Sequence, residues 1–277
     1  MKSKVTFPVT DTFSLDQTFS CGQCFRWEQL APEIWRGVAF SREVTLSLSG
    51  RQLTASCTRE EFEKLWRPYL DLDRDYAAIR QAVSTDPHTA DAVEYGAGIR
   101  ILRQEPWEAL CSFILSQCNN IPRIRGIIAR LCAHYGEEIR DGVHAFPAPG
   151  RLAVCGIEEL RGVIRCGYRA SYVIAAAQAV ESGALDLETL GAFSTKTARE
   201  RLTTLHGVGK KVADCVLLFG LQKLDAFPVD VWMRRTIDSL YGRNFDPAAA
   251  FGPYAGVAQQ YLFYHARAGI PSSSLHE

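Results

Sequence analysis

The residues best suited to chemistry sit together in one stretch, Leu205-His206-Gly207-Val208-Gly209-Lys210-Lys211-Val212-Ala213-Asp214-Cys215. One helix is expected to stop at Leu205, and a second to carry Val212, Cys215, Val216 and Phe219 at helical spacing. The glycines of the intervening trio, Gly207 and Gly209, tolerate positive φ and leave backbone N–H groups uncovered. At the start of a helix such groups can face a phosphate oxygen. Lys211 and Cys215 are four apart and share one helical face. An amine at the mouth of that turn can serve as a nucleophile, or it can be an ordinary solvated lysine. Downstream, Asp230 follows Phe227-Pro228-Val229 and precedes a helical run from Val231 to Leu240, so it reads as a helix cap or as a carboxylate facing a cleft. An ordinary corner between two helices would account for the glycines equally well.

The elements that position these groups fall into two regions. Residues 1 to about 58 alternate as strands do, with Val44, Leu46 and Leu48 on one face and a turn at Gly50-Arg51. Phe25-Arg26-Trp27 and Ile34 to Val38 predict two earlier strands. From about Arg59 the period becomes helical and stays so nearly to the end. Glu105-Pro106-Trp107 opens a helix with Leu110, Phe113, Ile114 and Gln117 on one side, and Ser194 caps another. A last helix follows Pro253. The expected class is α+β, with an N-terminal antiparallel β lobe over residues 1–85 and a helical region over 86–277 that holds a helix-hairpin-helix at about 196–220.

Composition narrows the function classes. The chain has 277 residues, 47% of them hydrophobic, with 31 basic residues against 31 acidic ones. That excludes a disordered or collagen-like class and removes global basicity as evidence for a nucleic-acid partner. No apolar leader or membrane span is expected. Nine cysteines, an odd number, suit reduced thiols rather than a disulfide framework. Cys21-Gly22-Gln23-Cys24 has metal-site spacing but no second ligand pair, and the absence of cysteine after Cys215 excludes an iron–sulfur cluster there.

With Phe227-Pro228-Val229-Asp230 following it, the Leu205–Cys215 stretch resembles the helix-hairpin-helix DNA glycosylases. More closely, the chain resembles the 8-oxoguanine DNA glycosylase/AP lyase family. Phe19 to Trp27, Gly98 to Gln104, Ser116-Gln117-Cys118-Asn119-Asn120-Ile121, Gly167 to Ala170 and Pro253 to Gly256 match further segments of that family in the expected order. The resemblance implies excision of 8-oxoguanine from duplex DNA, with Lys211 rather than Lys210 attacking C1′ and Asp230 stabilising the charged sugar. Attack requires that amine in its neutral form.

By the same resemblance the base leaves the stack. The Gly22 carbonyl then accepts its N7–H, Cys215 and Phe263 sandwich it, and Gln259 reads its Watson–Crick edge. Tyr168 resembles the wedge that fills the gap, and Arg123 and Arg169 resemble the residues that meet the unpaired cytosine. Asn119 and Asn120 face the opposite strand, and Gly207, Gly209 and Trp232 meet phosphates. Two departures stand out. Cys118 replaces the first of three consecutive asparagines in many relatives, which puts strict choice of the opposite base in doubt. Trp232 stands where animal-type members have histidine near a phosphate, and an indole, with one donor and no charge, either weakens that contact or rebuilds it. No cofactor or metal is implied, and the expected form is a monomer. The short stretch after Arg267 reads as the bacterial type, working in the cytoplasm on nucleoid DNA. A glycosylase for another damaged base and a non-catalytic hairpin DNA-binding protein are the alternatives.

Overall fold

The computed structural model describes residues 3–269. Its N-terminal lobe is a five-stranded antiparallel sheet of β1 (Val5–Pro8), β2 (Trp27–Ala31), β3 (Ile34–Ala39), β4 (Arg42–Ser49) and β5 (Gln52–Ala55), in the order β1-β5-β4-β3-β2. The alternation read from β4 holds: Val44 and Leu46 are buried while Thr45 and Ser47 are not. Phe25 and Arg26, expected in a strand, precede β2.

A short helix, Leu15–Ser20, interrupts the region read as strands. Phe13-Ser14-Leu15-Asp16 alternates like a strand, but Ser14 caps the helix by accepting from the Gln17 N–H. The Glu33 carboxylate, from the β2–β3 turn, also accepts the Leu15 N–H at 2.6 Å. Two of the donors left open at the helix start are therefore satisfied by side chains, which local periodicity does not reveal. A two-stranded ribbon, Glu138–Arg140 with Val143–His144, likewise lies inside the region expected to be helical.

Two cores result. The first joins the sheet to Phe19, Phe62, Trp66, Tyr69 and Leu70, with the Trp27 indole N–H donating to the Tyr69 hydroxyl at 2.8 Å. The second takes Cys21 and Phe25 from the N-terminal segment and is otherwise built from residues at and beyond Tyr76, most of them helical. Its centre is the helix Pro106–Leu115, in which Ala109 to Leu115 are all buried rather than one face alone. Cys21 packs in the second core and Cys24 in the first. The two thiols of the Cys-x-x-Cys motif therefore face different interiors.

Gln23, fully buried, joins the lobes. Its amide donates to the Thr18 and Arg100 carbonyls at 2.9 and 2.8 Å and accepts from the Leu102 N–H at 2.9 Å. The Gln104 amide returns a bond to the Gln23 carbonyl at 2.7 Å. Every polar atom of that buried side chain is thereby used. The two sequence segments around Phe19–Trp27 and Gly98–Gln104 become one structural unit, and it carries Gly22.

Candidate active site

The hairpin consists of helices Thr195–Leu202 and Lys210–Phe219. The first stops three residues before the expected Leu205, and Ser194 caps it as read, by accepting from the Thr197 N–H. Only Gly207 is left-handed, at φ +81°. A Cβ there would lie 2.1 Å from the Tyr172 ring, so both conformation and packing demand glycine. Gly209, expected to share that freedom, is instead extended at the helix start, and its Cβ position is open. Its value is uncovered backbone.

Residues Val212 to Phe219 are all buried, including Asp214, which takes an ion pair from Arg199 of the first helix at 2.5 Å. Burial raises the Asp214 carboxyl, opposed by Arg199. The two adjacent lysines part company at this helix start. Lys210 is exposed, whereas Lys211 is half-buried and donates to the Ser116 hydroxyl at 3.2 Å. Its Nζ lies 5.3 Å from the centre of the Phe113 ring.

Lys211 opens into a cavity of about 60 Å³ lined by Cys21, Gly22, Phe113, Lys211, Cys215, Phe219, Pro228, Asp230, Gln259, Gln260 and Phe263. All six residues expected around the reacting base and sugar are among them. A larger cleft of about 830 Å³, between β2, β3 and the helix Ile121–Tyr135, contains neither Lys211 nor Asp230.

Asp230 is both a cap and a cleft carboxylate. It accepts the Met233 N–H at 2.6 Å as N-cap of Val231–Tyr241 while lining the cavity. Burial pushes the Cys215 thiol up to about 11, against the pull of Lys211 beside it, so Cys215 offers a neutral, polarisable face. Gln259 and Phe263 are one turn apart on the last helix, Ala255–Ala268. The buried Gln259 Oε1 has no hydrogen-bond partner among the described residues, which is a costly state unless a ligand supplies donors. Gln260, next to it, donates to the Cys21 carbonyl at 2.7 Å and so ties the last helix to the Gly22 segment.

The cavity is small. A void of about 150 Å³ is what accepts a benzene, and a purine is larger. The Phe263 ring narrows it. It packs edge-on to Trp232 with centroids 5.5 Å apart, and the Arg267 guanidinium covers it at 5.5 Å. Its Cε1 would be 3.3 Å from a Cβ on Gly22, whose φ is +88°. Trp232 thus touches the pocket wall directly.

The remaining expected residues gather on an adjacent surface. Tyr168 is 47% exposed and stacks on the Arg169 guanidinium at 4.4 Å. Arg169 itself is buried, with donors committed to the carbonyls of Gln117 at 2.7 Å and Cys166 at 3.1 Å. Meeting a cytosine directly would require releasing those bonds. Asn120 caps Ile121–Tyr135 by accepting from the Arg123 N–H, and the Arg123 side chain is exposed. Asn119 donates to the Leu115 carbonyl at 2.8 Å, leaving its buried Oδ1 without a partner among the described residues. Cys118 is exposed and left-handed, at φ +49°. Sequence reasoning gave no role to Ser116 or to Phe113. Their contact with Lys211 spans 95 residues or more and leaves no local signature.

Residues 4–110 match the family model of the 8-oxoguanine DNA glycosylase N-terminal domain, and residues 111–249 that of the HhH-GPD superfamily base excision DNA repair proteins. The N-glycosylase/DNA lyase OGG1 of Arabidopsis thaliana is 32% identical, over 90% of this chain and 76% of that protein. The structure of MBOgg1 in complex with a low affinity DNA ligand superposes with a TM-score of 0.92 at 40% identity, covering 97% of this chain and 96% of the other. The 8-oxoguanine glycosylase/lyase of Clostridium acetobutylicum superposes in its apo form at 0.90, with 36% identity and 95% and 96% of the two chains covered. Its complex with DNA containing cytosine opposite 8-oxoG gives 0.87 at 35% identity, with 97% and 99% covered. Family models over both lobes, full-length likeness and a pocket holding every expected catalytic and base-contacting residue agree: this chain belongs to the 8-oxoguanine DNA glycosylase family, within the HhH-GPD superfamily of base excision DNA repair proteins.

Proposed function

We propose that this protein is a bifunctional repair glycosylase that excises 8-oxoguanine from duplex DNA and cleaves the resulting abasic strand through an imine on Lys211. The observation that carries the reading is the division of the two lysines, with Lys211 lining the cavity beside Asp230 and Lys210 exposed. The base enters extrahelically, because neither group can reach C1′ inside a duplex. Entry displaces the Phe263 ring from Gly22. The Gly22 carbonyl accepts the N7–H that 8-oxoguanine has and guanine lacks, so guanine would oppose a lone pair to a buried acceptor. Gln259 Oε1 takes a donor from the Watson–Crick edge.

As the Lys211 nitrogen bonds to C1′, the C1′–N9 bond breaks, and the base leaves with the electron pair and takes up a proton to match the one the nitrogen sheds. Asp230 opposes the positive charge that builds on the sugar. Opening of the sugar gives the Lys211–C1′ imine, and loss of a C2′ proton then expels the 3′ phosphate. Tyr168 wedges the vacated space, and Arg123, Asn119 and Asn120 face the opposite strand. The turn at Gly207 and Gly209 receives a phosphate. The protein acts as a monomer on chromosomal DNA in the cytoplasm. No helix among the described residues is long and apolar enough to cross a membrane.

The test is single-turnover cleavage of labelled duplexes carrying 8-oxoguanine, guanine or 3-methyladenine at one position, read with and without alkali. Cleavage of the 8-oxoguanine strand without alkali is expected, and guanine should survive. Release of 3-methyladenine in preference to 8-oxoguanine would replace this reading with that of a sister glycosylase.

A further inference from the structure

We infer that Ser116 is a positioning residue for the Lys211 amine. The inference rests on the function proposed above and deepens it at one atom. Ser116 ends the helix Pro106–Leu115 and donates its hydroxyl proton to the Phe113 carbonyl at 2.8 Å. With that proton engaged, only the oxygen lone pairs remain, and Lys211 Nζ donates to them at 3.2 Å. A primary amine that gives one N–H to a fixed acceptor keeps its own lone pair turned away from that acceptor. Asp230 and Gln259 line the same cavity as Lys211, and the lone pair is left free toward it. The Phe113 ring, 5.3 Å from Nζ, closes another side.

The acceptor is stiff because its turn is held from two directions. The side chain of Gln117, the next residue, donates to the Gly207 carbonyl at 3.0 Å, which locks the turn to the hairpin. Arg169 donates through Nε to the Gln117 carbonyl at 2.7 Å and reaches the Cys118 carbonyl at 3.4 Å. Ser116-Gln117-Cys118 therefore connects the nucleophile, the hairpin turn and the loop bearing Tyr168. A four-carbon side chain has many rotamers, and a fixed acceptor removes most of them before substrate arrives.

The experiment compares Ser116→Ala and Ser116→Thr with wild type on a duplex carrying a preformed abasic site, where base recognition plays no part. Trapping of the imine by borohydride reports the amine. Binding to a duplex with an uncleavable tetrahydrofuran site reports the fold and the DNA surface. Loss of one such hydrogen bond predicts roughly tenfold slower trapping in Ser116→Ala, with tetrahydrofuran-duplex affinity unchanged within about twofold. Ser116→Thr, which keeps the hydroxyl, should trap within about threefold of wild type. Trapping by Ser116→Ala at the wild-type rate overturns the inference, as does an equal loss of trapping and affinity. Should the threonine methyl prevent folding, Ser116→Gly must trap as slowly as Ser116→Ala; a faster rate counts against the hydroxyl. The parent reading fails separately. Wild type that traps abasic DNA but spares 8-oxoguanine refutes the substrate and leaves Ser116 standing, whereas wild type that traps neither removes both.

Discussion

Asp230 gives the sharpest separation of structure from chemistry. Its carboxylate accepts the Met233 N–H at 2.6 Å and faces the cavity that contains Lys211. Asp230→Asn keeps an oxygen for that N–H and removes only the charge. Asparagine is as good a cap as aspartate, so stability should change by less than about 0.5 kcal/mol. The charge opposes the developing cation on the sugar. Groups that stabilise transition-state charge in this way are worth about 10²–10³-fold, or ~2.7–4 kcal/mol. Asp230→Ala loses both contributions, adding about 1 kcal/mol of destabilisation from the missing cap. The assay is single-turnover excision of 8-oxoguanine alongside thermal unfolding of all three proteins. Expected is an asparagine variant that melts with wild type yet excises at least a hundredfold more slowly. An asparagine variant with excision within threefold of wild type would refute the electrostatic role. If instead it melts as low as the alanine variant, the cap argument is wrong.

Gly207→Ala forces a left-handed alanine, about 1–2 kcal/mol, and drives a methyl to 2.1 Å from the Tyr172 ring, about 1–3 kcal/mol of overpacking. Melting should fall by upwards of about 4 °C, and a fall under 1 °C would mean the hairpin turn yields freely. Cys118→Asn places a residue that tolerates left-handed backbone at φ +49°, so it should stabilise by up to about 1 kcal/mol. On duplexes with each base opposite the lesion it should also sharpen the preference for cytosine, and an unchanged ranking would remove residue 118 from opposite-base choice. Burial raises the Cys215 thiol to about 11 from an ordinary 9.0. The unfolded chain therefore loses that proton first, and the stability tied to the neutral thiol, complete below pH 9, drains away as pH rises toward 11. The alkaline decline in Tm should be shallower in Cys215→Ala, and parallel curves would count against a buried thiol.

Much of the scaffold can be read from local chemistry. Asp230, Ser194 and Pro106 announce helix starts through the orphan N–H groups they satisfy or do not need, and each stands where a helix begins. Val44 and Leu46 reveal their strand because one face is buried. The failures have the opposite character. Leu15–Ser20 depends on Glu33 from a turn elsewhere, and the depth of Pro106–Leu115 depends on neighbours on every side. A helix buried all round no longer shows a meaningful stripe. The site is harder still. Gly22 and Phe263 are 241 residues apart, and what united them with Lys211 was likeness to a family rather than any physical rule. Ser116 sat inside a matched segment with no role, because its partner Lys211 is 95 residues away.

The central claim, that the half-buried amine and not its exposed neighbour bonds to the sugar, is tested by borohydride trapping on an 8-oxoguanine duplex. Wild type and Lys210→Gln should each give a covalent protein–DNA adduct, and Lys211→Gln should give none. An adduct that survives in Lys211→Gln, or disappears in Lys210→Gln while DNA binding is intact, would contradict the account.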